Sequence, residues 1–461
     1  MEHVHLIGIG GSGLSAIARI LLERGVVVSG SDRQPSAVTE ALQAAGARVF
    51  IGHDAKNILG ADTIVRSSAV PDDNVEVQAA LRAGIPVLKR SEFLASFLEG
   101  YKVIAVAGTH GKTTTTAMLS WSLTALDQEP SYIIGGEALD LGTNAHTGKG
   151  SLFVIEADEY DRMFLGLQPY VAVVTNIEHD HPDCYPTPEE FYQAFRLFAE
   201  RLAPQGILLA CSDDPGARRL SEEARQAGHN VRSYGLNHWA GQDGPNYAAR
   251  ALAINPLGGF SFDFVRPENP SSAVRVALRV PGRHNVSNAL AVMAVIDYLE
   301  LPLDKAAAAL GMYSGTGRRF EVRGESHGVT VIDDYAHHPS EIRATLAAAR
   351  SRYPERSVWV VWQPHTYSRT RTLLNDFATS FGEAEQVIVT DVFAAREDPP
   401  ANGFSSRDVV DALEHPKAYY LPEFSEVVDF LVKGLHPEAV VLVLSAGDAN
   451  RVSDLLLQKL R

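Results

Sequence analysis

From His3 to Leu444 the chain repeats one pattern: a short apolar run rich in Val and Ile, a turn, then a segment of helical periodicity. Runs too short for helices, joined by amphipathic crossovers, pack as parallel strands covered by helices, so the repetition confines the fold to the α/β class. A first series of strands is expected at His3–Ile9, Val26–Ser29, Thr63–Ser67 and Pro86–Leu88, with a helix over Leu14–Arg24. A second comprises Lys102–Ala107, Leu152–Glu156 and Tyr170–Thr175, and a third Val329–Ile332, Val358–Trp362, Gln386–Thr390 and Val440–Leu444. Between the last two, Asn237–Pro270 is rich in Gly, Asn and Pro, and Ala273–Val280 alternates with period two, which reads as an antiparallel excursion. At 461 residues the chain exceeds one ordinary core. Three domains are expected: a Rossmann-like unit over 1–100, a central P-loop ATPase-like parallel sheet with the excursion over 101–312, and a Rossmann-like unit over 313–461.

Charge narrows the function. Lys and Arg total 41 against 56 Asp and Glu, a formal charge of −15. That balance opposes nucleic-acid binding, which needs a basic surface, while leaving room for small polyanions held by local donors. The two cysteines, Cys184 and Cys211, supply neither a zinc site nor a disulfide framework. No apolar stretch approaches the roughly 20 residues of a membrane span, and a strand begins too early for a signal peptide, so a cytoplasmic protein is expected.

The most specific motif is Gly108-Thr109-His110-Gly111-Lys112-Thr113-Thr114-Thr115, after an apolar strand and before a helical segment. Glycines let backbone N–H groups turn inward, the helix N-terminus adds positive potential, Lys112 brings a mobile charge and Thr113 a hydroxyl for Mg²⁺. The strict P-loop has a glycine where Val106 stands, so this loop is the shorter kind. Downstream, Leu152–Glu156 runs into Ala157-Asp158-Glu159-Tyr160-Asp161, and Tyr170–Thr175 into Asn176-Ile177-Glu178-His179-Asp180-His181. In a parallel sheet these carboxylates and imidazoles arrive at the same edge as Lys112 and suit a divalent ion on a triphosphate. A second glycine loop, Gly8-Ile9-Gly10-Gly11-Ser12-Gly13, follows the first strand, with Asp32 at the end of the next. Alone it would suggest a nicotinamide-dependent oxidoreductase, but the same geometry binds any diphosphate, including that of a UDP-sugar.

Together these motifs resemble the Mur ligases, the peptidoglycan-precursor amide ligases related to folylpolyglutamate synthases. Further matches are Ser67-Ser68-Ala69-Val70, Gly282–Ala289, Gly317-Arg318-Arg319-Phe320, Asp333–Pro339 and Gln363–Arg371, so the likeness spans nearly the whole chain. It implies an ATP- and Mg²⁺-dependent enzyme that activates a carboxylate as an acyl phosphate and joins it to an amino acid. The branch implied takes UDP-N-acetylmuramate and L-alanine; the alternative attaches a preformed murein tripeptide, a branch that Tyr160 resembles. A non-catalytic nucleotide sensor would instead bind ATP without turnover.

By the same resemblance, Gly10, Gly11, Ser12, Gly13, Asp32, Ser68, Asn176 and His181 would bind the UDP-sugar. Gly108, Thr109, His110, Gly111, Lys112, Thr113, Thr114, Asn285, Asn288, Arg319 and Asp333 would bind ATP. Thr113, Glu156 and His181 would hold the metal, and Tyr335, His337, His365 and Arg369 the amino acid, with His338 also near that junction. The catalytic set would be Lys112, Glu156, His181, Arg319 and His337, the last holding or deprotonating the incoming amine. Two departures stand out. Thr366 occupies a position that is often Arg, leaving Arg369 or Arg371 to meet the amino-acid carboxylate. No lysine occurs between Lys149 and Lys305, which closes the carbamylated-lysine route to metal binding, Arg196 lying about where that lysine would be. Gly315–Gly317 is the expected hinge for closure of the third domain. A monomer or homodimer fits equally.

Overall fold

A computed structural model describes residues 2–236, 244–266, 268–395, 397–401 and 403–461. They form three sheets in succession. The first contains β1 (His3–Ile7), β2 (Val27–Asp32), β3 (Arg48–Ile51), β4 (Thr63–Arg66) and β5 (Val87–Lys89), all parallel in the order β3-β2-β1-β4-β5. Strand order reverses beside β1, the point where a doubly wound sheet opens a crevice at its carboxyl edge. The glycine loop opens there and runs into α1 (Ser12–Glu23), whose Leu14, Ile17, Ile20 and Leu21 are buried at helical spacing.

The second sheet contains β6 (Lys102–Ala107), β7 (Ser131–Ala138), β8 (Thr143–His146), β9 (Leu152–Glu156), β10 (Val171–Val174), β11 (Ile207–Cys211), β12 (Asn230–Gly235), β13 (Tyr247–Ile254), β14 (Phe260–Arg266) and β15 (Asn269–Ala277). Its order is β15-β14-β13-β12-β11-β10-β6-β9-β7-β8, with β13, β14 and β15 forming the antiparallel excursion. Two helices matter for the site: α2 (Lys112–Ala125), which continues the P-loop, and α3 (Arg283–Tyr298), buried along most of its length from Asn285 to Ile296. The third sheet, β16 (Glu321–Ser326), β17 (Val329–Asp334), β18 (Val358–Trp362), β19 (Gln386–Val389), β20 (Ala418–Tyr420) and β21 (Val440–Leu444), is ordered β16-β17-β21-β18-β19-β20 and is parallel except at β16. It carries α4 (Pro339–Arg352) and the short α5 (Tyr367–Thr372).

The three-part α/β architecture matches the reading of the sequence. The Gly-, Asn- and Pro-rich stretch contains more structure than its composition suggested: β13 and β14 lie inside it, while 237–243 fall outside the described residues. Edge strands β3, β8, β16 and β20, and the partly polar β12, also lacked a clear apolar signature, because one face or one edge stays wet. The expected hinge is pinned in this conformation: Leu139 N–H donates to Gly315 O at 3.1 Å and Gly317 N–H to Glu137 O at 2.9 Å. Among the described residues no helix is long and apolar enough to cross a membrane.

Candidate active site

Register brings the chemistry together. β6 pairs with β9 at Val106↔Glu156 and with β10 at Ala107↔Val174, so the acidic segment, the Asn176–His181 segment and the P-loop leave the sheet side by side. The loop packs against its neighbours too closely for side chains at two points. A Cβ on Gly108 (φ +137°) would lie 2.0 Å from Thr175 Oγ1, and one on Gly111 (φ +81°) 2.7 Å from Asn288 Oδ1. Asn176 Oδ1 accepts the His110 N–H at 2.8 Å, and Thr109 Oγ1 accepts the Glu178 N–H at 2.9 Å.

Lys112 folds back into this frame. Its Nζ donates to Gly108 O at 2.5 Å and Thr109 O at 3.0 Å, and lies 2.9 Å from both oxygens of Glu159, which is 1% exposed. Burial opposes the charge, but Glu159 and Glu156 together raise the amine above its ordinary pKa. Glu156 Oε1 accepts from Thr113 Oγ1 at 3.1 Å and Oε2 from Gly135 N–H at 2.7 Å. Burial raises its pKa in spite of Lys112, so this carboxylate has a deficit of positive charge.

Three cavities surround these groups. One of about 410 Å³ joins the glycine loop (Gly11, Ser12, Gly13) and Ser68 to His181 and, from the third sheet, His365 and Arg369. A second, about 380 Å³, runs from His110, Gly111, Thr113 and Thr114 to Asn285, Asn288, Arg319 and Asp334. The largest, about 790 Å³, lies between Gly13, Arg90, Thr113, Glu156, Arg319 and Tyr335. Thus residues of all three sheets converge on one cleft.

Most residues singled out in the sequence line these spaces; Gly10, Asp32, Gly108, Thr109, Lys112, Asp333 and His337 do not, and Asn176 lines a different one from that expected. Asp333 is carried by strand alternation to the other face of β17, where it accepts from Ser453 Oγ; its neighbour Asp334 lines the second cavity instead, accepting N–H groups of Phe320 and Ala336 at 2.8 Å. Burial pushes the Asp334 carboxyl up to about 6. Asn176 shapes the P-loop and lines the second cavity, not the one beside the glycine loop. Asp32 uses both oxygens on backbone N–H groups, those of Gly10 (2.9 Å) and Arg33 (2.8 Å), and so braces the turn. His337 sits behind Tyr335, its Nδ1 donating to Tyr335 O at 2.9 Å. Burial pushes that ring down to about 3, so it is a neutral hydrogen-bonding group and a poor base for an ammonium.

His181, with φ +55°, places Nε2 3.5 Å from Glu159 Oε1, so Glu159 stands between Lys112 and His181. Arg369 is only 6% exposed and forks onto Asp180: Nε to Oδ1 at 3.0 Å and Nη2 to Oδ2 at 3.2 Å. Thr366 spends its hydroxyl capping α5 at Arg369 N–H, and shares its cavity with Arg369 and Arg90.

Several participants were given no individual role in the reading of the sequence: Arg90, paired with Asp158 at 2.9 Å beside Gly13; Glu159 and Asp180, placed there only within the acidic segments at the sheet edge; and Glu341, 3.1 Å from His110. A signal existed for two of them. Arg90 directly follows a strand at the carboxyl edge, and Glu341 closes a His338-x-x-Glu341 capping box.

A P-loop facing a second glycine loop across a cleft closed by a third α/β unit defines a nucleotide-dependent group-transfer enzyme of three-part α/β architecture. Family models agree across most of the chain: "Mur ligase family, catalytic domain" matches residues 3–102, "Mur ligase middle domain" 106–296 and "Mur ligase, glutamate ligase domain" 318–447. The chain belongs to the Mur ligase family. It is 44% identical over 475 residues to the UDP-N-acetylmuramate–L-alanine ligase of Roseiflexus sp. (strain RS-1), covering 100% of this chain and 99% of that one. The enzyme of the same name from Rubrobacter xylanophilus is 44% identical over 462 residues, covering 99% and 100%. Among solved structures, UDP-N-acetylmuramate–alanine ligase of Thermotoga maritima superposes with a TM-score of 0.82 at 27% identity, over 99% and 98% of the two chains.

Proposed function

We propose that this chain joins L-alanine to the lactyl carboxylate of UDP-N-acetylmuramate at the expense of ATP, in cytoplasmic peptidoglycan precursor synthesis. The supporting observation is the shared cleft, lined together by Gly13 of the glycine loop, Thr113, Glu156 and Arg319, with Lys112 next to Thr113 in the P-loop. Residues 1–100 would hold the UDP-sugar, 101–312 ATP, and 313–461 the amino acid.

A free carboxylate does not acylate amines, because its oxygen is a poor leaving group. Here a carboxylate oxygen attacks the γ-phosphorus, the bond to the β-phosphate oxygen breaks, and ADP departs. The α-amino group then attacks the acyl carbon, loses a proton, and phosphate leaves. Positioning and charge neutralisation dominate such chemistry. Asn285 and Asn288 flank the base end of the nucleotide cavity, Gly108–Thr114 wrap the phosphates, and Lys112 and Arg319 meet the transferred group. Thr113 and Glu156, 3.1 Å apart, fit a hard divalent ion, since the buried Glu156 already lacks compensating charge; the family resemblance adds His181, which lines the adjoining cavity. Bound there, Mg²⁺ would neutralise the β- and γ-phosphates. Tyr335, His365 and Arg369 adjoin the acceptor side, with the neutral His337 orienting the ring and backbone around it.

The test is phosphate release from ATP with Mg²⁺ and UDP-N-acetylmuramate while amino acids are supplied singly. Turnover with L-alanine above glycine and L-serine supports the reading. Turnover only with a murein tripeptide would move the chain to the recycling branch, and ATP binding without any turnover would refute both.

A further inference from the structure

Beside the P-loop the middle and third sheets meet through a polar cluster for which the ligase reading names no metal. His110 projects from the loop between two carboxylates, Nε2 lying 3.0 Å from Glu178 Oε2 and Nδ1 3.1 Å from Glu341 Oε1. The His338 ring lies beside it with ring centroids 4.8 Å apart. His338 is 2% exposed, its Nδ1 makes one long contact with Ser340 N–H at 3.3 Å, and its Nε2 has no partner. An imidazole nitrogen buried without a partner carries a cost that a ligand would remove. One donor atom from each of His110, Glu178 and His338 lies within 4.8 Å of the other two.

We propose that His110, Glu178 and His338 bind a divalent transition metal of the zinc class, clamping the P-loop to the start of α4. Two imidazoles and one carboxylate are a borderline donor set suited to Zn²⁺ or Co²⁺, unlike the oxygen-rich pair Thr113 and Glu156 that suits Mg²⁺. Bonds of about 2.1 Å to one ion require the three donors to draw in only modestly, leaving a fourth position for water. The outer contacts are in place. Glu341 holds the far nitrogen of His110, the carboxylate–histidine–metal arrangement, and Ser340 Oγ donates to the other oxygen of Glu178 at 2.7 Å.

Binding exchanges a proton for the ion. His110, which the Glu178 and Glu341 carboxylates push up to about 9 against the effect of burial, releases its proton to solvent. Ligation through His338 Nε2 moves that ring's proton to Nδ1 and sacrifices the long contact to Ser340. Because the donors come from the P-loop, the segment after β10 and the N-cap of α4, the ion would hold the closed arrangement of middle and third sheets and slow their separation.

The experiment uses the full chain, stripped with chelator and free of nucleotide, titrated with Co²⁺ as a visible reporter. One equivalent should bind with d–d absorption that Zn²⁺ displaces and millimolar Mg²⁺ does not, and Zn²⁺ should raise the melting temperature. His338→Asn keeps an N-cap acceptor for Ser340 and removes the imidazole, so it should weaken binding at least tenfold while circular dichroism stays unchanged. Glu178→Gln should do the same and decides the matter if the first variant misfolds. Glu156→Gln should leave the cobalt spectrum intact. Absence of stoichiometric binding overturns the proposal, as does a spectrum unmoved by both cluster variants or abolished by Glu156→Gln. None of these readouts depends on ligase activity, so the site stands or falls apart from the functional reading.

Discussion

Asp180→Asn tests whether the third sheet is held over the cleft by charge. The substitution preserves the shape of the side chain and removes the anion that Arg369 forks onto. Both side chains are 6% exposed, so water cannot replace the lost partner. Burial disfavours ionised Asp180, yet Arg369 overrides it and holds the carboxyl well below the usual carboxylate range. Removing one member of such a buried pair costs about 3–5 kcal/mol, because the other charge stays desolvated and uncompensated. The pair joins the segment after β10 to α5, so the cost falls on the docked arrangement and leaves the separate cores largely intact. At about 1.4 kcal/mol per decade, α5 should open roughly 10²–10⁴ times more often. Amide hydrogen exchange of peptides covering Tyr367–Thr372, under conditions where exchange reports the opening equilibrium, reads this directly. Adding Arg369→Met removes the stranded cation and should recover most of the protection. A loss of protection under tenfold, or no recovery in the double variant, would show that charge does not dock the third sheet.

Other outcomes follow from the same cleft and from the first sheet. Lys112→Ala should abolish ATP turnover while calorimetry still detects UDP-N-acetylmuramate binding; loss of both would mean the glycine loop is not a separate binding unit. Glu159→Gln removes the anion shared by Lys112 and His181, and should lower kcat by about 10²-fold with little change in KM for the UDP-sugar, since misplacement near 1 Å costs that much. In the first sheet, burial would raise Glu76, but the His5 ring 3.5 Å away and hydrogen bonds from Ser31 and Asn57 bring it down to about 2 from an ordinary 4.5. A depressed carboxyl stabilises the fold above pH 4.5, and this contribution disappears as pH falls from 4.5 towards 2. Acid unfolding followed by fluorescence should show that dependence, and Glu76→Gln should flatten it.

The sequence was most legible where one physical constraint acts over a few neighbouring residues. Lys102–Ala107, Leu152–Glu156, Val358–Trp362 and Val440–Leu444 are buried on both faces and read directly as strands, and they coincide with the observed elements. Gly-Lys-Thr after the first of these located the P-loop. Less legible were groups whose role depends on a partner far along the chain. Arg369 finds Asp180 189 residues earlier and Ser340 finds Glu178 162 residues earlier, and nothing local marks either meeting. Asp333 and Asp334 show the limit of motif reading at single-residue scale. The pair is recognisable, but which member faces the cavity follows from the register of β17 against β21, where Asp334 pairs with Leu444 at the strand's end.

The charges in the cleft form a pattern that single motifs do not reveal. Lys112 is matched by Glu159, Arg90 by Asp158, Arg369 by Asp180, and His110 by Glu178 and Glu341. Arg319 is the loosest of these cations, 3.9 Å from Glu341 and 29% exposed, with its guanidinium over the Tyr335 ring. A diphosphate and a triphosphate therefore enter a cleft whose positive groups are already neutralised, in a chain of formal charge −15. Binding two such anions requires either that the carboxylates swing away or that further positive charge arrives with the nucleotide. Glu156 is held by hydrogen bonds from Thr113 and Gly135, and the buried Glu159 by Lys112, which favours the second route. On this argument the divalent ion completes the charge balance of binding as well as of phosphoryl transfer, and calorimetry should find ATP without Mg²⁺ bound far more weakly than ATP with it.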